Sequence, residues 1–138
     1  MKRSSSGTKR ISDREFLGAL KARANGPRAA SYRAFYSSFL GGITTSAHHM
    51  IMPIDDHMVH RGDAVFEAVK FTANGIFALG RHLDRLEISQ KNIGLELPFS
   101  RKKLESTIVA TVEASRLREG LIRLFVSRGE GGFTTNPY

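Results

Sequence analysis

Hydrophobic and polar residues alternate most regularly in AVFEAVKF (64–71), which reads as a strand. The period of two places Val65, Glu67, Val69 and Phe71 on one face and Phe66, Ala68 and Lys70 on the other. NG at 74–75 predicts a type I′ hairpin turn, and IFAL (76–79) the returning strand. A helical period follows over about 82–93, with Leu83, Leu86 and Ile93 in one sector and Gly94 as its stop. Ser100 is placed to cap a second helix whose core side is Leu104, Ile108, Val112 and Leu117. LIRLFVSRG (121–129) reads as a strand entering a glycine-rich loop.

Upstream the pattern is weaker. Ser12 and Glu15 form a capping box, Ile11 and Phe16 the two ends of a hydrophobic staple, and Phe16, Leu17 and Leu20 an apolar stripe. NGP at 25–27 ends that helix. YRAFYSSFL and HHMIMPI read as short β-like runs with a turn at Gly41 and Gly42. Hairpin-type strands with two to three helices predict an α+β domain, a mostly antiparallel sheet with helices packed on it.

Composition sets limits on this reading. The 138 residues, 41% hydrophobic, suit one globular domain. Cysteine is absent, which removes disulfides and thiolate chemistry. No apolar run is long enough to span a bilayer, and the N-terminus lacks the apolar stretch of a secretory signal, so a cytoplasmic protein is expected. The net charge of +8 is unevenly placed. Residues 1–34 hold nine Lys and Arg against Asp13 and Glu15, whereas the remaining 104 hold twelve against eleven acids. The excess belongs to a tail, with residues 1–10 expected to be disordered and 11–34 a helix and linker. That placement argues against nucleic acid as the main partner.

Three charged residues interrupt apolar rows. Glu67 is the polar member of its strand face, and a carboxylate there needs a cation or hydrogen-bond donors. It fits a structural ion pair and a site equally well. In GRHLDRLEIS (80–89), His82, Arg85 and Ser89 line the border of the buried helix face. Arg81 and Arg85 are like charges one turn apart, and a helix starting near 82 puts Arg85 in its first turn, where the dipole disfavours a cation. A bound phosphate or carboxylate relieves both penalties. Physics alone favours a protein carboxylate over a ligand. Arg123 shares a strand face with Leu121 and Phe125, and a substrate or a protein carboxylate would satisfy it equally. His57 and His60 stand one helical turn apart, but no spacing here matches a metal signature. GEGG (129–132) lacks the Lys-Ser/Thr of a phosphate-binding loop.

The blocks DDHMVHRGDAVFEAVKF, NGIFALGRHLDRLEISQKNIGLELP and IRLFVSRGEGG, in this order, resemble the N-terminal small domain of class-IV, fold-type-IV pyridoxal-phosphate enzymes. These are the branched-chain and D-amino-acid aminotransferases and the aminodeoxychorismate lyases. The resemblance runs over 35–133, with 134–138 as the start of an inter-domain connector. It implies pyridoxal 5′-phosphate as cofactor, amino-acid and 2-oxo-acid substrates, and a homodimer in the full-length protein. It further implies that Arg85 holds the cofactor phosphate and that Phe66, Glu67, Arg123 and Arg61 belong to the substrate side. Leu121 stands where branched-chain enzymes have tyrosine, and Phe133 and Thr135 fall near the Arg and His of D-amino-acid enzymes, which leaves the substrate class open. VSRGEGG is similar to the lyases as well. The cofactor-binding lysine matches none of Lys2, Lys9, Lys21, Lys70, Lys91, Lys102 or Lys103 and is expected beyond Tyr138. The chain alone is therefore expected to be inactive, and a non-catalytic stand-alone fragment is the remaining alternative.

Overall fold

The computed structural model describes residues 8–133. Residues 1–7 of the tail expected at 1–10 and the connector expected at 134–138 lie outside these residues. The elements run α1 (Asp13–Ala24), β1 (Phe35–Ser37), β2 (Gly42–Thr44), α2 (His57–Arg61), β3 (Ala64–Thr72), β4 (Gly75–Ile76), α3 (Leu79–Asn92), α4 (Arg101–Ser115) and β5 (Gly120–Ser127). Every described pairing is antiparallel: β1 with β2, and a three-stranded sheet in the order β4-β3-β5. This is the expected α+β arrangement.

β5 pairs with β3 along its whole length, from Ala64 with Ser127 to Phe71 with Gly120. The face carrying Val69, Phe71 and Val126 is buried under α3 and α4, whose Leu83, Leu86 and Ile108 are almost fully enclosed. The opposite face stays open, with Phe66, Leu121, Arg123 and Phe125 exposed along it. One sheet face therefore makes the core and the other is left for a site.

The helix ends show how the sequence sets these elements. Ser12 and Glu15 do form the reciprocal capping box at the start of α1. Ile11 and Phe16 are both largely exposed, and Phe16 and Leu20 instead line an apolar cleft with Phe39, Ile51, Met52 and Pro53. Ser100 caps α4 through the Lys103 amide. α3 ends in a Schellman turn: Leu95 N–H bonds Gln90 C=O, Gly94 N–H bonds Lys91 C=O, and Gly94 takes φ 58°.

Several expectations fail for local reasons. HHMIMPI is not a strand; Ala47–His49 is a 3₁₀ turn and 50–53 lack regular structure. The hairpin turn is not type I′, because Thr72 pairs with Gly75 and Asn74 does not have positive φ. Gly75 alone takes the positive value, 123°, while Asn74 N–H bonds the Thr72 hydroxyl. The returning strand stops at Ile76, since Ala78 adopts a left-handed φ of 46° and α3 begins at Leu79. Arg85 is thus the seventh helical residue, beyond the first turn, and the dipole penalty on it lapses. Ile93 caps the helix and is 39% exposed, so Gln90 occupies the buried position instead. Leu117 is also exposed, and Thr111 is buried in α4.

Candidate functional site

Glu67 sits in the middle of β3, opposite Leu124 and only 2% exposed. Alternation sends its carboxylate to the core face, where α3 crosses. His82 and Arg85, at i and i+3, project from one side of α3 and reach the same carboxylate. Arg85 Nε donates to Glu67 Oε1 at 2.6 Å and Arg85 Nη2 donates to Oε2. His82 Nδ1 lies 2.9 Å from Oε2. An ionised carboxylate only accepts, so Nδ1 carries a proton in this contact. The Arg85 hydrogen bonds hold the Glu67 carboxyl below its ordinary range against the desolvation that would raise it, and His82 adds to the effect. Glu67 in turn raises the Arg85 guanidinium.

Arg85 is a partly solvated partner, its side chain 66% exposed. Of its five N–H groups, two engage Glu67. Nη1 makes no hydrogen bond with a described residue. The guanidinium therefore presents a second fork, Nη1 and the outer hydrogen of Nη2, away from the sheet. That edge fits a phosphate oxyanion, which takes such forks in two parallel bonds.

The other candidates lie on the opposite side of β3. Phe66, 63% exposed, pairs across the strands with Phe125, their ring centroids 6.1 Å apart. Arg123 stands opposite Ala68 on the same open face, beside Leu121. The structure thus groups Phe66 with Arg123 and separates both from Glu67, which belongs with Arg85. Arg61 ends α2 just before β3, and its charge helps keep Asp63 ionised, a role in which Arg128 is the main partner.

Sequence reasoning placed His82 beside Arg85 but missed its part in the cluster. It considered His57 only beside His60 and missed its burial: the side chain is 5% exposed at the start of α2, and its two ring nitrogens have no hydrogen-bond partner among the described residues. Gly131 covers this ring so closely that a β-carbon there would fall 1.9 Å from Nε2. His57 and His60 meet edge-on at 5.2 Å, and among the described residues no three metal-ligating side chains converge.

Residues 64–138 match the amino-transferase class IV family. A D-amino-acid transaminase (chloroplastic) of Arabidopsis thaliana is 39% identical over 106 residues, 77% of this chain and 28% of that protein. Among solved structures, a branched-chain amino acid aminotransferase (from T.th.) complexed with N-(5′-phosphopyridoxyl)-L-glutamate superposes with a TM-score of 0.62. It is 30% identical, over 70% of this chain and 34% of that one. The 4-amino-4-deoxychorismate lyase of Pseudomonas aeruginosa gives 0.53 at 28% identity, over 64% and 31%. The chain belongs to the class IV aminotransferase family, and its fold is that of the fold-type-IV enzymes. It spans about a third or less of the length of these relatives.

Proposed function

We propose that these residues form the small domain of a pyridoxal 5′-phosphate-dependent aminotransferase. The enzyme moves an amino group between an amino acid and a 2-oxo acid. The observation that carries this reading is Arg85, anchored on buried Glu67 with a second N–H fork turned outward. That donor set fits the cofactor's phosphate. When bound, the cofactor supplies the electron sink for chemistry at the substrate's α-carbon.

The chain's own residues then bind and orient. Arg85 holds the phosphate. Phe66 and Arg123, on the open sheet face, shape the substrate side, with Arg123 available to a carboxylate and Phe66 and Phe125 excluding water. Arg61, exposed at the entry to β3, belongs to that side as well. The nucleophilic lysine is assigned to a segment of the full-length protein outside these residues, so amino transfer belongs to the longer polypeptide. A homodimer and a cytoplasmic location accompany this reading. Among the described residues no helix is long and apolar enough to cross a membrane. The basic side chains between Lys9 and Arg33 are all exposed.

A lyase outcome is the second reading, favoured by the likeness to 4-amino-4-deoxychorismate lyase. One experiment separates the two. The full-length protein, loaded with pyridoxal 5′-phosphate, is assayed for amino transfer that depends on an added 2-oxo acid and, in parallel, for pyruvate release from aminodeoxychorismate. Transfer without pyruvate release is the expected result; pyruvate release without transfer reverses the assignment. Activity in neither assay, with the intact mass at 15.3 kDa, leaves a non-catalytic member of the family.

A further inference from the structure

We infer that Glu67 and His82 are positioning residues that set the outward fork of Arg85, rather than substrate contacts. This rests on the reading of Arg85 as the phosphate holder. An arginine this exposed would otherwise spread over many rotamers, and lost side-chain entropy opposes fixing it. Glu67 supplies what solvent cannot. It is buried in β3, so its two oxygens are held by the sheet rather than by a mobile stem. Oε1 takes Nε, and Oε2 takes Nη2.

His82 acts one bond further back. Its Nδ1 contacts Oε2, the same oxygen that receives Arg85 Nη2. Nη2 is the nitrogen shared by the inner and outer forks of the guanidinium. A carboxylate free to twist at Oε2 would carry Nη2 with it and turn the outer fork away. The imidazole, its side chain 22% exposed, restrains that twist. The helical spacing of His82 and Arg85 makes this arrangement self-consistent, because one rigid element delivers both donors to one fixed acceptor.

The test compares the dissociation constants of pyridoxal 5′-phosphate and of pyridoxal, which lacks the phosphate, in the full-length protein. Their ratio isolates the phosphate contribution. Wild type, Arg85→Ala, Glu67→Gln, His82→Leu and His82→Asn are measured, with thermal unfolding to establish that each is folded. Asn at 82 places an amide N–H near the position of Nδ1. Loss of one charge-assisted contact corresponds to about tenfold or more. The preference for the phosphorylated form is therefore expected to fall about tenfold in Arg85→Ala and Glu67→Gln, and about threefold or more in His82→Leu. His82→Asn is expected to stay near wild type.

An unchanged ratio in Arg85→Ala overturns the phosphate reading itself. A reduced ratio in Arg85→Ala with wild-type ratios in Glu67→Gln and His82→Leu overturns the positioning role alone. Parallel weakening of both ligands in Glu67→Gln and His82→Leu also overturns it, since that is what a merely structural defect does. Equal losses in His82→Leu and His82→Asn remove His82 from the assignment. If Glu67→Gln does not fold, the two His82 variants decide the question.

Discussion

Gly131 lies against the imidazole of His57, and a β-carbon at 131 would fall 1.9 Å from Nε2 and 2.7 Å from the two adjoining ring carbons. The contact is locked from both sides. His57 N–H bonds Gly129 C=O, Gly131 N–H bonds Asp55 C=O, and Asp56 accepts from the Ser127 hydroxyl through Oδ2. Neither the loop nor the ring can retreat without giving up these bonds. Gly131→Ala is therefore expected to destabilise the domain by about 1–3 kcal/mol, the usual range for overpacking. Gly18→Ala is the control, because a β-carbon there meets nothing within 4 Å and the site is helical. Denaturant unfolding of both variants checks this, and a Gly131→Ala midpoint equal to that of Gly18→Ala would show that the loop yields freely.

Acid should weaken the fold through Glu67. Its folded carboxyl is held below the ordinary range, chiefly by Arg85. A group depressed in this way contributes stability that is fully present above its unfolded pKa. That stability is lost as pH falls through the folded one. Glu67→Gln removes this contribution at every pH. Wild type is accordingly expected to be more stable than the variant at neutral pH, with the gap narrowing as pH falls below the ordinary carboxylate value of 4.5. Asp63, depressed by its fork with Arg128, still titrates in both proteins, so neither curve becomes flat. Thermal midpoints of both across the acid range are the measurement. A gap that does not change with pH would place the cost of the substitution in packing, not in the carboxylate's charge.

How much of this was legible beforehand depended on how local each determinant is. The faces of β3, the partner-seeking Glu67 and the Ser12, Gly94 and Ser100 helix ends are written in spacings of two to four residues, and all appear as read. The start of α3 is not so written. Ala78 turns the chain by adopting a left-handed φ without a capping side chain, and Phe77 is apolar yet 68% exposed, so the segment imitates a strand. Ile93 fits the helical period, but the turn into Gly94 swings it outward and buries Gln90 instead. Glu67 announced a need for a cation; that His82 and Arg85 both answer it follows from α3 crossing β3, which no local pattern records. His57 beneath Gly131 joins two distant loops, and the only hint was the run of small residues in GEGG.

The division of the sheet into a core face and an open face makes a final prediction. Leu83 is 1% exposed beneath the core face, whereas Phe66 and Phe125 are 63% and 54% exposed on the other. Truncation at Leu83 leaves a cavity among Leu86, Ile108 and Val126, at a cost of about 2–5 kcal/mol. Marginal stabilities of about 5–15 kcal/mol make that a large share of the total. Phe66→Ala leaves no enclosed cavity, and its cost should stay within about 1 kcal/mol. If the open face is the substrate side, the ranking reverses for function. Phe66→Ala would raise KM or lower kcat/KM in the full-length enzyme while its unfolding midpoint stays near wild type. Leu83→Ala would lose stability first and activity only with it. Urea unfolding and steady-state kinetics on the two variants read these quantities separately. Equal losses of stability would mean that Phe66 is held in place by packing, and an unchanged kcat/KM in Phe66→Ala would take the open face off the substrate side.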